Sequence, residues 1–214
     1  MHVEQDAPVG LREAKKQATR RRLTSAARRL AVEHGLDQVT VEMICSEVGV
    51  SVRTFFNYFD SKEQSVVGPE MPVGDDATRA AFVAGGPTGR LLDDALELLD
   101  PTAAVEDEGR DEFRLAMQLF VTEPRIVALQ LARGVAAERD LAALIERRRR
   151  GVRIPGQSRG VATRPAVDPT SATLAAVAGT VLRRGLVDWV ESGDDRPLTA
   201  HLADAARAAA QLFD

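Results

Sequence analysis

The chain has few residues that could crosslink it or hold a metal. It contains one cysteine, Cys45, and three histidines, His2, His34 and His201, which lie far apart in the sequence. A lone cysteine cannot form an internal disulfide, and the histidines have no cysteines near them at the spacing of zinc ligands. We therefore expect neither a disulfide framework nor a metal or other cofactor.

Long apolar segments are also missing. The first ten residues, MHVEQDAPVG, are polar, which is unlike a signal peptide. No stretch approaches the ~18 apolar residues that a transmembrane helix needs. We expect a cytoplasmic protein with no membrane partner.

No group of residues indicates an enzyme. The stretch GVRIPGQS at residues 151–158 has the spacing of a phosphate-binding loop, but Gln157 replaces the lysine and an arginine-rich segment precedes it in place of a strand. No nucleophile motif lies near any of the histidines. We expect no catalytic activity.

Aromatic residues are scarce, at 4% of the chain, whereas Ala, Leu, Val and Arg are abundant. No long stretch alternates apolar and polar residues as half-buried strands do. The hydrophobic fraction of 44% is sufficient for a buried core. The composition predicts an all-α fold.

Residues 1–67 form the first predicted domain, a helix-turn-helix unit. Apolar residues at helical spacing predict a long first helix over about residues 12–34, which Gly35 ends. Thr40 is a typical N-cap for a short second helix, and Gly49 ends that helix.

Two more short helices follow the tight turn at Gly49. Ser51 caps a third helix, predicted over residues 52–59, and Ser61 with Gln64 forms a capping box for a fourth. Helices two and three, joined by a tight turn, are typical of a helix-turn-helix motif.

Residues 68–214 form the second predicted domain. It opens on the connector GPEMPVGDD, which is rich in Pro and Gly. A Gly-, Pro- and Arg-rich stretch at residues 151–168 predicts a long loop. Six helices are predicted, over residues 76–84, 88–99, 107–121, 124–150, 169–191 and 197–213.

Basic residues are concentrated near the N terminus. Between Gly10 and Leu30 there are eight basic residues, Arg20 among them, and one acidic residue. Residues 63–214 hold 18 basic and 24 acidic residues, a net charge of −6. A basic arm on an acidic body suits a protein that binds a polyanion at one end, although a solvated helix face would look similar.

Four of the nine aromatic residues, Phe55, Phe56, Tyr58 and Phe59, fall within five positions. On a helical wheel the three phenylalanines and Val52 form one apolar stripe. So short a helix needs large side chains to anchor it to its neighbours. We expect all three phenylalanines in the core, with Phe56 at the edge of the stripe.

The opposite face of this helix carries Arg53, Thr54, Asn57 and Tyr58. Arginine pairs with guanine and asparagine with adenine, the threonine methyl contacts thymine, and the tyrosine hydroxyl reaches the backbone. An inert solvated face is the alternative, but such a face more often carries Glu and Lys. We predict that these four residues face DNA.

The stretch VTVEMICSEVGVSVRTFFNYFDSKE, residues 39–63, resembles the DNA-binding signature of the tetracycline-repressor (TetR) family of bacterial transcriptional regulators. The likeness extends over about residues 12–66. It implies a homodimer whose two recognition helices enter successive major grooves of a double-stranded, palindromic DNA operator. Such proteins are usually repressors that a small ligand releases.

By that resemblance, Thr40 and Lys62 contact phosphates, although Lys62 would otherwise be an ordinary surface lysine. Ser51 and Arg20 complete the predicted DNA-binding set. The family often has Tyr where this chain has Phe56, whose ring cannot bond a phosphate. Either Tyr58, which stands where the family often has His, supplies a phenol instead, or the contact is missing.

The resemblance also assigns roles to the C-terminal helices. In this family the last two helices form a four-helix dimer interface, and residues 169–191 and 197–213 fit that role; closing the monomer's own core is the alternative. Phe113, Met117 and Phe120, spaced i, i+4, i+7, are candidates to line a ligand pocket with Trp189, unless they are plain core.

Residues 111–151 loosely resemble a subgroup that includes the mycofactocin-system regulator, which implies a hydrophobic or acyl-CoA-like ligand. The run Arg147 to Arg150 could bind a nucleotide phosphate. We favour the interpretation that it complements the helix dipole and caps the last carbonyls.

Two other functions remain open. A helical protein-interaction module would bind through a hydrophobic interface whose strength depends little on salt, whereas DNA binding weakens steeply with salt. An activator would use the same DNA-binding fold as a repressor.

Overall fold

The computed structural model describes residues 7–70, 72–102, 109–151 and 167–211, with side chains of the first range from residue 14 onward. These ranges contain ten α-helices, one short 3-10 helix and no strand, which confirms the predicted all-α class. In chain order the α-helices are α1 (Ala7–His34), α2 (Val41–Val48), α3 (Val52–Phe56), α4 (Lys62–Val67), α5 (Asp76–Val83), α6 (Leu91–Leu98), α7 (Arg110–Thr122), α8 (Pro124–Gly151), α9 (Pro169–Glu191) and α10 (Leu198–Ala210).

Two helices are shorter than their sequence pattern predicts. Helix α3 ends at Phe56 and not at residue 59, because the amides of Asn57 and Tyr58 bond the third preceding carbonyl and turn the chain. Helix α6 begins at Leu91 and not at residue 88, because the amide and hydroxyl of Thr88 both donate to the Asp94 carboxylate, at 2.9 and 2.6 Å.

Other predicted bounds are close to those observed. Helix α9 has the predicted bounds, and α1 starts earlier than predicted, at Ala7. Three predicted segments lie partly outside the described residues. They are the start of the helix predicted over residues 107–121, the end of the helix predicted over residues 197–213, and residues 152–166 of the predicted loop.

The chain packs as two compact units. The first comprises residues 1–70 and 107–131, and the second comprises residues 71–106 and 132–214. Helix α7 and the start of α8 thus belong to the first unit. The functional boundary predicted after residue 67 stays a prediction.

The first core surrounds one face of α1. The predicted stripe of Leu23, Ala26, Ala27, Leu30 and Ala31 is buried throughout. Apolar side chains of α2, α3 and α4 pack against it, and α7 and α8 add Leu119 and Ile126. Cys45 is a buried member of this core, and burial raises the pKa of its thiol.

An arginine of the predicted basic arm lies inside this core. Arg28 is 4% exposed. Its Nε donates to the Val66 carbonyl at 2.9 Å and its Nη2 to the Val67 carbonyl at 3.2 Å. Because carbonyls in the last turn of a helix have no helical partner, Arg28 caps the end of α4 and is not part of a polyanion-binding surface.

The second core contains a buried ion pair. Arg148 Nη1 lies 2.8 Å from Asp94 Oδ2, and Arg148 Nη2 donates to the Gly85 carbonyl at 2.8 Å. The guanidinium carbon lies 4.9 Å from the centre of the Phe82 ring. Burial by itself would raise the pKa of Asp94, but hydrogen bonds from Thr88 and from Arg148 outweigh it and hold that pKa below its ordinary value.

Three arginines at the end of α8 pair with carboxylates, two of them on other parts of the chain and one within the same helix. Beside the buried Arg148, Arg149 Nη1 donates to Asp168 Oδ2 at 2.6 Å, and Arg150 Nε donates to Glu146 Oε1 at 2.7 Å. The carboxylates of Asp94, Asp168 and Glu146 thus bind these three guanidinium groups, which lie in the last turn of the helix. The predicted capping of the helix's own last carbonyls stays a prediction.

No helix in the four described ranges is both long and apolar enough to cross a membrane. Over those same residues, no three His, Cys, Asp or Glu side chains come together in a way that could hold a metal ion.

Candidate nucleic-acid interface

Helix α3 is held in place at both ends by local hydrogen bonds. Gly49 has φ +76°, a left-handed conformation that favours glycine, and so ends α2 and turns the chain. Ser51 then caps α3, its Oγ accepting the Thr54 amide at 3.1 Å. The predicted caps at Ser51 and at Thr40, which accepts the Met43 amide at 3.2 Å, are confirmed.

Two of the three phenylalanines anchor α3 to the first core. Phe55 is fully buried and Phe59 is 3% exposed, with ring centres 5.8 Å apart. The prediction that Phe56 is also core is wrong, because that side chain is 52% exposed. Its wheel position lies at the edge of the stripe, and α3 ends there, so no further helical turn covers the ring.

The predicted DNA-facing residues differ in their accessibility. Arg53 and Asn57 are exposed, so their donors can reach a ligand. Thr54 is half-buried, and its hydroxyl is 2.8 Å from Ser51 Oγ, so the two hydroxyls act as one hydrogen-bonded pair. Tyr58 is half-buried and packs against the first core, which leaves its ring partly structural.

Lys62 has an internal role that the sequence did not predict. Its ammonium donates to the carbonyls of Leu36 and Val39, both at 2.8 Å. These carbonyls belong to the loop that leads to Thr40, the residue predicted to bind a phosphate beside Lys62. Lys62 therefore joins the start of α4 to the loop that presents Thr40, and an ammonium with three N–H donors keeps one for another acceptor.

We expect Lys62→Met to lower the free energy of unfolding of the first unit by about 1–3 kcal/mol, because two half-buried carbonyls lose a charged donor. Lys15→Met removes an exposed lysine of α1 and is the matched control. Chemical denaturation followed by circular dichroism measures both. Equal stability of the two variants would show that the Lys62 contacts contribute nothing.

Arg20 lies against the end of the recognition segment. Its guanidinium carbon is 5.6 Å from the centre of the Phe59 ring, a cation–π contact that restrains the side chain. Other arginines of the basic arm bind the protein itself, since Arg22 Nη2 donates to the Val48 carbonyl at 2.6 Å and Arg29 pairs with Glu47. Lys15 and Lys16 of the arm are exposed.

The predicted ligand-lining residues fall in different packing units. Phe113, Met117 and Phe120 are half-buried in the first unit, and Trp189 is buried in the second. One cavity of about 360 Å³ in the first unit and one of about 320 Å³ in the second are lined by other residues. The ligand-lining set stays a prediction.

Sequence similarity agrees with the geometry of this interface. Residues 23–64 match the family of bacterial regulatory proteins described as the tetR family. The segment includes the buried face of α1 and all of α2 and α3, together with the cap and first residues of α4.

A curated relative and a solved structure are also similar to the chain. The HTH-type transcriptional regulator TcmR of Streptomyces glaucescens is 40% identical over 73 residues, which are 34% of this chain; the chain spans only 32% of that protein's length. FadR of Thermus thermophilus, a TetR-family transcriptional repressor crystallised with lauroyl-CoA, is 19% identical over 89% of this chain and 92% of its own. Its TM-score of 0.30 is too low to bear on the fold of this protein.

The matched segment and the helix-turn-helix geometry coincide at the N-terminal unit. We conclude that residues 23–64 of this chain are similar to the bacterial regulatory proteins of the tetR family.

Proposed function

We propose that this regulator is a ligand-responsive repressor, which binds a palindromic DNA operator as a homodimer and leaves it when a small molecule binds. The main observation in support of sequence-specific DNA binding is the exposed face of α3. Arg53 lies on α3 and Asn57 is the residue that ends it, while Phe55 and Phe59 fasten this segment to the core. A rigid helix with exposed hydrogen-bond donors can read base edges in a major groove.

Charge supports the same proposal. Lys15 and Lys16 are exposed on α1, and Arg20 is restrained beside Phe59. Cations near a reading helix position a protein on the phosphate backbone, and they make binding fall steeply as salt rises. A protein partner bound through apolar side chains would show little salt dependence.

We expect Arg53→Ala and Asn57→Ala each to cost about 1–3 kcal/mol of binding to the selected operator and to relax base preference at one position per half-site. Lys15→Ala, the matched control, should weaken all sequences alike, because a phosphate contact carries no base information. The measurement is selection of bound sites from a randomised double-stranded pool, followed by titration of each variant.

Unchanged base preference in both α3 variants would mean that this face does not read DNA. Mass spectrometry would first show that the protein carries no bound small molecule. If the selection then recovered no sequence from the pool, the proposal that this protein recognises a DNA sequence would be refuted.

The proposal that the protein is a homodimer is based on helices α9 and α10. Glycine at position 185 lets these helices approach closely, since a Cβ there would lie 3.0 Å from the Leu202 Cα. Apolar residues of both helices are only half-buried in the single chain, namely Leu174, Val177, Leu182, Leu186, Leu202 and Ala206. Association of two copies through these helices would bury them further, as the four-helix interface of the family does.

Release by a ligand is tested on the selected operator. Acyl-CoA compounds are the first probes, because residues 111–151 loosely resemble a subgroup of the family that is associated with ligands of this class. A compound that binds one conformation more tightly shifts the population toward it. Loss of operator binding at saturating compound supports a ligand-released repressor, and tighter binding would instead indicate a co-repressor or an activator.

A further inference from the structure

An exposed phenylalanine lies among the polar groups of the DNA-facing surface. The side chain of Phe56 is 52% exposed, whereas the two other phenylalanines of this segment, Phe55 and Phe59, are buried. Positions 53, 56 and 57 of a helix fall within about 100° of one another. Phe56 therefore shares a face with Arg53 and Asn57, the two exposed donors.

The ring is held in a defined orientation. Phe56 makes a T-shaped contact with the fully buried Phe55, with ring centres 5.4 Å apart and an angle of 87° between the rings. Edge-to-face pairs of this kind are favourable arrangements of aromatic rings. Because a restrained side chain loses little freedom on binding, the exposed part of the Phe56 ring is suited to an apolar contact.

A hydrocarbon ring has no donor or acceptor for bases or phosphates. In the major groove, the apolar group that base pairs present is the C5-methyl of thymine. From its place beside Arg53 on this face, and on the basis of the proposed DNA-reading function, we propose that Phe56 packs against a thymine methyl in each operator half-site. It is then a specificity-determining residue that selects thymine by shape.

The test replaces each thymine of the selected half-site, one at a time, with deoxyuridine, which removes only the methyl group. Fluorescence anisotropy measures the Kd of the full-length protein for each duplex. At one thymine we expect the wild type to lose about fourfold in affinity, the value of one buried methyl. Phe56→Ala should bind the unmodified operator more weakly and show no further loss with uracil at that position.

Two further variants control the result. Asn57→Ala should keep the uracil effect, because it leaves the ring in place, and Phe56→Tyr should keep it as well, because it retains the ring. Circular dichroism of Phe56→Ala confirms that the variant is folded.

Three outcomes would overturn the inference while leaving the proposed function intact. They are a selected half-site without thymine, no uracil effect at any thymine in the wild type, and an equal uracil effect in the wild type and Phe56→Ala. The second and third outcomes would mean that the Phe56 ring contacts a deoxyribose or does not contact DNA. Failure to recover any specific site would refute the proposed function and this inference together.

Discussion

Replacing Phe55 with alanine is expected to lower the free energy of unfolding of the first unit by about 3–5 kcal/mol. Phe55 is fully buried and packs with Phe59 in the first core. Removing its ring leaves a cavity, and the five-residue α3 has too few internal hydrogen bonds to remain helical without an anchor. Chemical denaturation followed by circular dichroism measures the loss.

Phe56→Ala is the matched control, because it removes the same side chain one position away. With 52% of that side chain exposed, the substitution should cost less than about 1 kcal/mol of stability. Phe55→Ala should also abolish the proposed sequence-specific DNA binding, since α3 would no longer hold Arg53 and Asn57 in fixed positions. Similar destabilisation by the two alanine variants would show that Phe56 is a core residue after all.

Replacing Arg148 with methionine is expected to lower the free energy of unfolding of the second unit by about 3–5 kcal/mol. The substitution keeps most of the side-chain volume but leaves the Asp94 carboxylate buried without its cationic partner. Methionine also cannot donate to the Gly85 carbonyl as Arg148 Nη2 does. Arg147→Met, at the exposed neighbouring position, should change stability by less than about 0.5 kcal/mol.

The pH dependence of this loss provides a second readout. Because the folded protein holds the pKa of Asp94 below its ordinary value, the ionised carboxylate contributes stability above the unfolded-state pKa of about 3.9. That contribution is lost as pH falls through the folded-state pKa. The difference in stability between the wild type and Arg148→Met should therefore narrow as the pH is lowered from about 6 to 3. A difference that stays constant with pH would show that the ion pair is not the cause.

Much of the N-terminal unit follows from local physical chemistry. The caps at Thr40 and Ser51 and the left-handed glycine at position 49 involve neighbours within a few residues, so the sequence is enough to place them. The buried stripe of α1 repeats at helical spacing over Leu23, Ala27 and Ala31, and that pattern alone identifies the core face. The bounds of α9 were predictable because Asp168 and Pro169 make a strong helix start.

The sequence was less informative where a side chain's partner lies far along the chain. Lys62 and Arg28 look like members of a basic surface, yet the carbonyls that bind them are 23 or more residues away. Periodicity reports which face of a helix is apolar, but it contains no information on which backbone carbonyls another element brings near. Counting charges alone therefore overestimates the number of cations available at the proposed DNA-binding surface.

The exposure of Phe56 depends on where α3 ends. A wheel drawn over residues 52–59 places this ring beside those of Phe55 and Phe59, because it assumes that the helix continues. The helix instead ends at Phe56, and the chain turns through Asn57 and Tyr58. The end of α3 at this position thus leaves the phenylalanine exposed to solvent, as Arg53 and Asn57 are.

By itself, the sequence determined the all-α class, the helix-turn-helix unit, most helix ends, and the similarity of residues 23–64 to the tetR family, since these depend on composition, spacing and short-range hydrogen bonds. Only the tertiary structure decided which cations are internal, which phenylalanine is exposed, and that Arg148 pairs with Asp94 54 residues away. The physical reason is that burial and ion pairing depend on which elements pack together, and those contacts join residues whose separation no local pattern records.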